Sequence, residues 1–282
     1  MINSKILIIG LGLIGGSYAE ALTKQGYNVT AITRTQSSID YALEQGIIQK
    51  GYSYVDEAAV KEADIIIFGL YPSLILNWLE ENQHLFKSGA VITDVTGVKS
   101  CIVYDIQKLL RDDVEFISAH PMAGREVYGV QNSDASIFKG ANYIVVPTDK
   151  NTDSATELCK ELGRVLGFER ISVLSPEDHD EMIGFVSQLT HCIAVSLMTC
   201  SDNEELVNYT GDSFRDLTRI ARINETMWSE LFMMNKDALL RQMNIFIDEF
   251  INIRDMIKTE NVEALKEKMR LSTKRRALFD RK

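Results

Sequence analysis

The chain has 282 residues, 45% of them hydrophobic, which is enough for one large globular domain or two of ordinary size. Its formal charge of −10 argues against a nucleic-acid-binding surface, because such a surface needs a basic patch. The four cysteines lack zinc-type spacing, so we expect reduced thiols and no metal site. We also expect no leader and no membrane-spanning run, and therefore a cytoplasmic protein.

The first element is an apolar strand, Lys5–Ile9, that runs directly into a cluster of glycines and then a helix over Leu13–Lys24. In this GxGxxG pattern the first glycine permits a tight turn, the second lets a pyrophosphate approach the backbone, and the third lets the helix pack on the strand. The free N–H groups and the dipole of the helix favour the phosphate charge. The predicted cofactor-binding residues at this turn are Gly10, Gly12, Leu13, Ile14 and Gly15.

The second strand, predicted at Asn28–Ile32, indicates which cofactor binds. Sites for NAD have an acidic residue here that binds the ribose hydroxyl, but this strand is followed by Thr33, Arg34 and Thr35. An arginine between hydroxyls suits a 2′-phosphate, so we predict NADP at these three residues, with NAD as the alternative. An ordinary polar loop with a solvated arginine is the structural alternative.

Short apolar runs continue to alternate with helical periods, which is typical of a parallel sheet covered by helices. Further strands are predicted at Asp64–Gly69, Ala90–Asp94, Glu115–Ala119, Asn142–Pro147 and Glu169–Leu174, and further helices at Ser37–Gln45, Pro72–His84, Ser100–Leu110 and Thr152–Leu166. Ligands bind beyond the carboxyl ends of such strands. His120 lies at one of these ends, where an imidazole can serve as a general base at neutral pH.

The sequence becomes helical throughout after Ser175 and Pro176. Helices are predicted at Glu177–Ser201, Glu204–Asn208, Phe214–Ile223, Glu225–Lys258 and Asn261–Phe279. The apolar stripe on the longest of them consists of Leu231, Met234, Leu239, Met243, Phe246, Phe250, Ile253 and Ile257. A small helical domain buries such a stripe poorly alone, so we expect a homodimer through this region; a self-contained bundle is the alternative. We therefore predict an α/β + all-α chain, with a doubly wound, Rossmann-type dinucleotide-binding domain over residues 1–175 and a helical substrate and dimerisation domain over 176–282.

The helical part also contains a candidate anion clamp. Arg219 follows Asp216 by three residues, and an arginine braced by an aspartate presents a rigid fork to a substrate carboxylate. An ordinary surface ion pair is the structural alternative.

Several motifs together make the sequence resemble the prephenate/arogenate dehydrogenase family of tyrosine biosynthesis over almost the whole chain. They are GLGLIGGS at Gly10–Ser17, TDVTGVKS at Thr93–Ser100, SAHPMAGRE at Ser118–Glu126, HD at His179–Asp180, QLTH at Gln188–His191, and FRDLTRIA at Phe214–Ala221 with MW at Met227–Trp228. The resemblance implies oxidative decarboxylation of prephenate, a cyclohexadienol dicarboxylate, to 4-hydroxyphenylpyruvate, with hydride transfer to NAD(P).

The resemblance also implies roles for individual residues. His120 matches the catalytic base, and Arg219 matches the arginine that holds the ring carboxylate. Asp216 and Trp228 match residues that support this arginine, and His191 matches one near the side-chain end of the substrate. The chain departs from the family at Gly97, where many members have a serine whose hydroxyl assists the histidine.

Other interpretations stay open at this stage. An arogenate dehydrogenase has the same scaffold, and imine reductases and 3-hydroxyacid dehydrogenases also join a dinucleotide domain to a helical dimer domain. A non-catalytic NADPH-binding sensor is an alternative from another class. Lys99 is either a residue near the cofactor loops or a solvated residue at a helix start, and His179 is expected to help place the domain junction.

Overall fold

A computed structural model gives the fold of residues 4–280. They form two compact units that divide between Asn235 and Lys236. The domain boundary expected near Ser175 stays a prediction, since it falls inside the first unit.

The strands of the first unit form two sheets. Their bounds are β1 (Lys5–Ile9), β2 (Asn28–Ile32), β3 (Lys50–Tyr52), β4 (Ile65–Phe68), β5 (Val91–Asp94), β6 (Glu115–Phe116), β7 (Ser118–Met122), β8 (Asn142–Val146) and β9 (Arg170–Val173). Among the described residues, the first six strands make an all-parallel sheet in the order β3-β2-β1-β4-β5-β6. The chain order reverses between β1 and β4, and such a switch point is where ligands bind in open α/β sheets.

The helices of the first unit are α1 (Leu13–Lys24), α2 (Gln36–Glu44), α3 (Glu57–Glu62), α4 (Pro72–Asn82), α5 (Val103–Leu109), α6 (Asp153–Leu166), α7 (Pro176–Ile183), α8 (Thr190–Thr199), α9 (Asp212–Thr218) and α10 (Glu225–Met234). A π-helical turn, Gly184–Leu189, joins α7 to α8. Both faces of the large sheet are buried, because alternate residues of β1 enter separate apolar cores, Ile6 and Ile8 on one side and Leu7 and Ile9 on the other. The doubly wound architecture followed by helices is therefore confirmed.

The strand predicted at Glu115–Ala119 is two strands. The chain pairs with β5 as far as the Ile117 N–H, which donates to the Ile92 carbonyl at 2.9 Å, and then enters the second sheet as β7. There β7 is antiparallel to β8, and β8 is parallel to β9. The expectation of one parallel sheet was wrong for these strands, and the short elements β3 and α3 were not predicted.

The long helix predicted at Glu225–Lys258 is interrupted at Asn235. The Asn235 side-chain amide donates hydrogen bonds to the Asp180 carbonyl at 2.9 Å and to Gln188 Oε1 at 2.8 Å. Its backbone leaves helical geometry, with φ −113° and ψ 27°. The buried Asn235 amide, whose two acceptors lie outside α10, thus ends this helix. The apolar periodicity alone predicts that the helix continues to Lys258.

The second unit is a helical hairpin of α11 (Lys236–Lys258) and α12 (Val262–Arg276). Glu260 in the connecting turn has a φ of 53°, and the ammonium of Lys268 on α12 lies 2.7 Å from the carboxylate of Glu249 on α11. Large apolar side chains on α11 remain exposed in this chain, with Ile245 60%, Phe250 64% and Ile257 61% accessible to solvent.

One stretch, Pro176–Thr199, is long and apolar enough by length and composition to span a membrane, with a mean hydropathy of 1.4 in its apolar window. The expectation that no such run exists was therefore wrong. The stretch also carries buried polar side chains, His179, Asp180 and Gln188, that hydrogen-bond to other elements of the first unit. These contacts attach the stretch to other elements of the first unit.

Candidate active site

A cavity of about 950 Å³ lies at the switch point of the large sheet. One side is lined by residues that follow the carboxyl ends of β1, β2, β4 and β5, and the other by residues of α8 and α10. Its volume is at the upper end of the range for ligand sites, which suits two ligands bound side by side.

The glycine turn after β1 has the geometry that a pyrophosphate needs. Gly10 has a φ of 102°, and a Cβ there would lie 2.6 Å from the Gly69 carbonyl oxygen. A Cβ on Gly15 would lie 2.0 Å from the Gly10 carbonyl oxygen, whereas a Cβ on Gly12 would meet nothing within 4 Å. Gly12 starts α1 without a side-chain cap, so first-turn N–H groups are open to an anion. The residues present therefore fit a dinucleotide, and all five residues predicted at this turn line the cavity.

The loop after β2 forms the next part of the cavity wall. Thr33, Arg34 and Thr35 all line it, together with Ser38 and Tyr54. Arg34 is exposed, and no other described residue pairs with its guanidinium. This loop therefore offers an unpaired cation and several hydroxyl groups to a ligand, as the sequence predicts.

His120 lies on β7 and lines the same cavity as the glycine turn. Its ring is half-buried, and a Cβ placed on Gly97 would come within 3.8 Å of both its Cε1 and its Nε2 atoms. The structure therefore brings Gly97 next to the imidazole, at the position where the family serine would stand.

A second histidine contacts the other ring nitrogen of His120. Nδ1 of His120 lies 2.9 Å from Nε2 of His179, and Nδ1 of His179 lies 2.8 Å from Oδ1 of Asp180. Asp180 also accepts hydrogen bonds from the backbone N–H groups of Lys99 at 2.9 Å and Ser100 at 2.8 Å. His179 therefore connects His120 to a carboxylate and does more than mark a domain junction.

Lys99 is fully buried, so its interpretation as a solvated helix-start residue was wrong. Its ammonium donates to Oδ2 of Asp94 and to the Ala119 carbonyl, each at 2.7 Å. Asp94 in turn accepts from the Ser118 hydroxyl at 2.5 Å and from the Ala119 N–H at 3.2 Å. This buried ion pair fixes the start of β7, directly before His120.

Burial lowers the pKa of His120 well below its usual value, and the neighbouring His179 and the Lys99 ammonium lower it further. Burial also lowers the pKa of His179, although Asp180 acts in the opposite direction. Both imidazoles are therefore neutral at neutral pH, as a base must be before it accepts a proton.

The opposite wall of the cavity brings together two residues from the helical part. The rings of His191 on α8 and Trp228 on α10 are in contact, with centroids 3.7 Å apart and planes tilted by 30°. The His191 Nδ1–H donates to the Ser187 carbonyl at 2.9 Å, within the π-helical turn. Burial lowers the pKa of His191 as well, which leaves a neutral ring whose Nε2 is an acceptor.

Arg219 and Asp216 do not form the pair that the spacing predicts. The Arg219 guanidinium lies 2.8 Å from Oε1 of Glu126, whereas Asp216 is exposed. The α-helix ends at Thr218 and a 3₁₀ turn follows, so the expected spacing of side chains on one helical face is lost. Neither residue is among the described residues that line the cavity, but Glu126 and Arg222 are.

The comparisons with known proteins agree with this geometry. Residues 18–168 match the family model described as "Prephenate dehydrogenase, nucleotide-binding domain", and residues 175–271 match "Prephenate dehydrogenase, dimerization domain". A prephenate dehydrogenase of Bacillus subtilis is 32% identical over 92% of this chain and 72% of its own length. A cyclohexadienyl dehydrogenase of Zymomonas mobilis is 27% identical over 96% of this chain and 94% of its own.

A solved structure is also similar over nearly the whole chain. It is a prephenate dehydrogenase from A. aeolicus in complex with hydroxyphenyl propionate and NAD+, with a TM-score of 0.89 and 28% identity, and the match covers 98% of each chain. The fold and the site together define an oxidoreductase that uses a nicotinamide cofactor. The chain belongs to the prephenate dehydrogenase family, as its two matching domains and its relative in B. subtilis show.

The sequence motifs therefore identified the family correctly, but they did not assign four residues that the geometry makes prominent. His179 and Asp180 were part of a quoted motif without a chemical role, and Glu126 ended another. Arg222, on the cavity wall, had no sequence signal that separates it from other surface arginines. Their proximity to the cavity depends on long-range packing, which local spacing does not encode.

Proposed function

We propose that this chain oxidises prephenate and decarboxylates it to 4-hydroxyphenylpyruvate, with NADP as the hydride acceptor, as a cytoplasmic homodimer. The observation that carries the proposal is that His120 and the Gly10–Gly15 turn line one cavity. A base and a dinucleotide site that share one cavity can act on the same carbon atom of a small substrate.

In this proposal His120 removes the proton from the ring hydroxyl of the substrate. Its neutral imidazole, which lines the cavity beside Gly97, accepts that proton as the carbon bearing the oxygen is oxidised. The nicotinamide, when bound, supplies the acceptor for the hydride. Loss of carbon dioxide then makes the ring aromatic, so the overall step is irreversible.

Arg219 is proposed to bind the ring carboxylate, with Asp216 and Trp228 in support. In this structure its guanidinium is paired with Glu126, a residue of the cavity wall, so it lies at the edge of the cavity. A substrate carboxylate can replace the Glu126 carboxylate as the partner of the same guanidinium fork. His191 is proposed to contact the side-chain end of the substrate.

The preference for NADP is supported by the loop after β2. The exposed Arg34 has no partner among the described residues, and Thr33 and Thr35 flank it on the cavity wall. A 2′-phosphate would gain charge-assisted hydrogen bonds there, whereas the ribose hydroxyl of NAD would find no carboxylate in this loop.

Arogenate is the second candidate substrate, and His191 is the observation that favours it. The Nδ1–H of this ring donates to Ser187, so the neutral ring presents a hydrogen-bond acceptor at Nε2. An acceptor suits the ammonium group of arogenate better than the keto group of prephenate. Prephenate is preferred because it is the substrate named for the relatives in B. subtilis and A. aeolicus.

The homodimer is supported by the exposed apolar side chains of α11. Ile245, Phe250 and Ile257 are more than half exposed in the single chain, and residues 175–271 match a domain described by its role in dimerization. Burying such a patch in an isologous interface would remove the apolar surface from water.

The experiment is a set of four assays with purified protein, which combine prephenate or arogenate with NADP or NAD. Absorbance of the reduced nicotinamide is followed in each. The proposal expects the highest kcat/KM with prephenate and NADP. Faster turnover of arogenate would transfer the assignment to the second candidate, and no signal in any of the four assays would contradict the proposed function.

A further inference from the structure

We propose that His179 and Asp180 are positioning residues that hold the proton of neutral His120 on Nδ1, so that Nε2 is left unprotonated as the catalytic base. This inference rests on the proposed role of His120 in the reaction. It assigns a chemical task to a buried pair that the sequence indicated only as part of a motif.

The proton positions follow from the donors and acceptors around Asp180. Its Oδ1 accepts the Lys99 N–H and its Oδ2 accepts the Ser100 N–H, so the carboxylate is ionised and acts only as an acceptor. The Nδ1 of His179, 2.8 Å from Oδ1, must therefore carry a proton and donate it to that bond.

The same reasoning extends to the next ring. A neutral His179 with its proton on Nδ1 has a lone pair on Nε2. The neighbouring Nδ1 of His120, at 2.9 Å, must then be the donor. Neutral His120 therefore carries its proton on Nδ1, and the Nε2 beside Gly97 is free to accept one from a substrate.

The arrangement also supports the charge that forms during the reaction. When Nε2 of His120 accepts the substrate proton, the ring becomes an imidazolium. Its Nδ1 proton can move across the 2.9 Å hydrogen bond to Nε2 of His179, which places the positive charge next to the Asp180 carboxylate. No other atom is gained or lost, and the attraction is strong because the pair is shielded from water.

Other charged groups near these rings do not replace Asp180. The Lys99 ammonium lowers the pKa of both histidines, but it is already paired with the Asp94 carboxylate at 2.7 Å. Asp180 is therefore the carboxylate that directly stabilises a cation on this pair. Gly97, the neighbour of Nε2, has no side chain that could orient the His120 ring, so the contact of Nδ1 with His179 performs that task.

A purely structural interpretation predicts something different. Asp180 also connects α7 to the N–H groups of Lys99 and Ser100, so its loss could simply weaken the packing of the helix. If Asp180 positions His120, its loss changes both kcat and the pH dependence of kcat. If Asp180 only supports packing, its loss leaves the pH dependence of kcat unchanged.

The test compares Asp180→Asn, His179→Gln and His179→Leu with the wild-type chain in steady-state assays. We expect Asp180→Asn and His179→Leu to lower kcat by about 10²-fold, with the KM for substrate and the affinity for NADPH changed less than about threefold. His179→Gln keeps a side-chain oxygen that can accept from His120, so its kcat falls less than that of His179→Leu. Asp178→Asn is the matched control, since it changes an exposed carboxylate on the same helix and leaves kcat unchanged.

Two further readouts separate positioning from packing. Removing the Asp180 carboxylate makes the imidazolium less stable, so the acidic limb of the kcat profile moves to lower pH in Asp180→Asn. In a His120→Asn background, Asp180→Asn has no additional effect on residual turnover, because it acts through the missing ring.

Three outcomes overturn the inference or its basis. Wild-type kcat and an unmoved pH profile in the folded Asp180 and His179 variants would overturn the positioning role while leaving the proposed function intact. Equal losses in His179→Gln and His179→Leu with additive double mutants would assign the pair to packing. Full activity of His120→Asn would instead overturn the proposed function itself.

Discussion

The ammonium of Lys99 lies 2.7 Å from the carboxylate of Asp94, and neither side chain is accessible to solvent. The same ammonium donates to the carbonyl of Ala119, the residue before His120. The pair therefore joins the end of β5 to the start of β7, where the chain passes from the large sheet to the small one. A buried cation at this crossing positions the residue that we assign as the base.

We expect Lys99→Met to destabilise the chain by about 3–5 kcal/mol, because Asp94 would stay buried without its cation. Urea unfolding followed by circular dichroism measures the loss. Lys87→Met is the matched control, since it breaks the exposed pair with Asp64 and costs about 0–1 kcal/mol. Equal losses in the two variants would show that the buried pair has no special role.

We expect Arg34→Asp to raise the KM for NADP at least about tenfold and to improve the use of NAD, because it exchanges a partner of the 2′-phosphate for a partner of the ribose hydroxyl. Steady-state kinetics with both cofactors measure the change. Arg111→Gln is the control, because Arg111 is far from the β2 loop in sequence and is not among the described residues that line the cavity. If the Arg34 variant uses NADP as well as the wild-type chain or better, Arg34 does not bind the 2′-phosphate.

We expect Arg219→Gln to raise the KM for prephenate at least about tenfold, through loss of a charge-assisted hydrogen bond to the ring carboxylate. Arg215→Gln is the matched control, because Arg215 lies one turn earlier and its ion-pair partner among the described residues is the exposed Asp212, at 3.8 Å. Arg222→Gln tests the competing residue on the cavity wall. A larger effect of Arg222→Gln would transfer the clamp to that residue.

The stability of the chain should fall as the pH is lowered from 7 to 5. The pKa values of His120, His179 and His191 are all lowered in the folded state, chiefly by burial, so the unfolded chain binds more protons as the pH passes below about 6.5. Thermal unfolding at several pH values measures this. His191→Gln should reduce the slope between pH 7 and pH 5, and a slope that is unchanged would contradict the contribution of that ring.

The sequence predicted those features that local pattern encodes. Helix α1 was predicted with its observed bounds, because the glycine turn defines its start and a lysine occupies its last turn. Local pattern could not predict that the strand expected at Glu115–Ala119 divides into β6 and β7. This division depends on the Asp94 carboxylate, which accepts hydrogen bonds from Ser118 and Ala119. Asn235 ends α10 for a similar reason, because its acceptors lie on another helix and in the π-helical turn.

The site shows the same division. The glycine-turn residues that line the cavity lie between one strand and the helix that follows it, so a continuous motif is enough to predict that they lie close together. His120 and His179 are 59 residues apart in sequence and meet only through packing of α7 against the second sheet. The partner of Arg219 is Glu126, 93 residues away, whereas the spacing rule favoured Asp216 on the same helix. Contacts of this range require the folded chain.

The most direct test of the account is the kinetic effect of His120→Asn with prephenate and NADP, measured together with NADPH binding by fluorescence. The central claim is that His120 is the base in the cavity that also holds the nicotinamide. It predicts that kcat falls by about 10²–10⁴-fold while the affinity for NADPH is unchanged. Turnover within a few-fold of wild type, with the variant folded and binding NADPH, would contradict it.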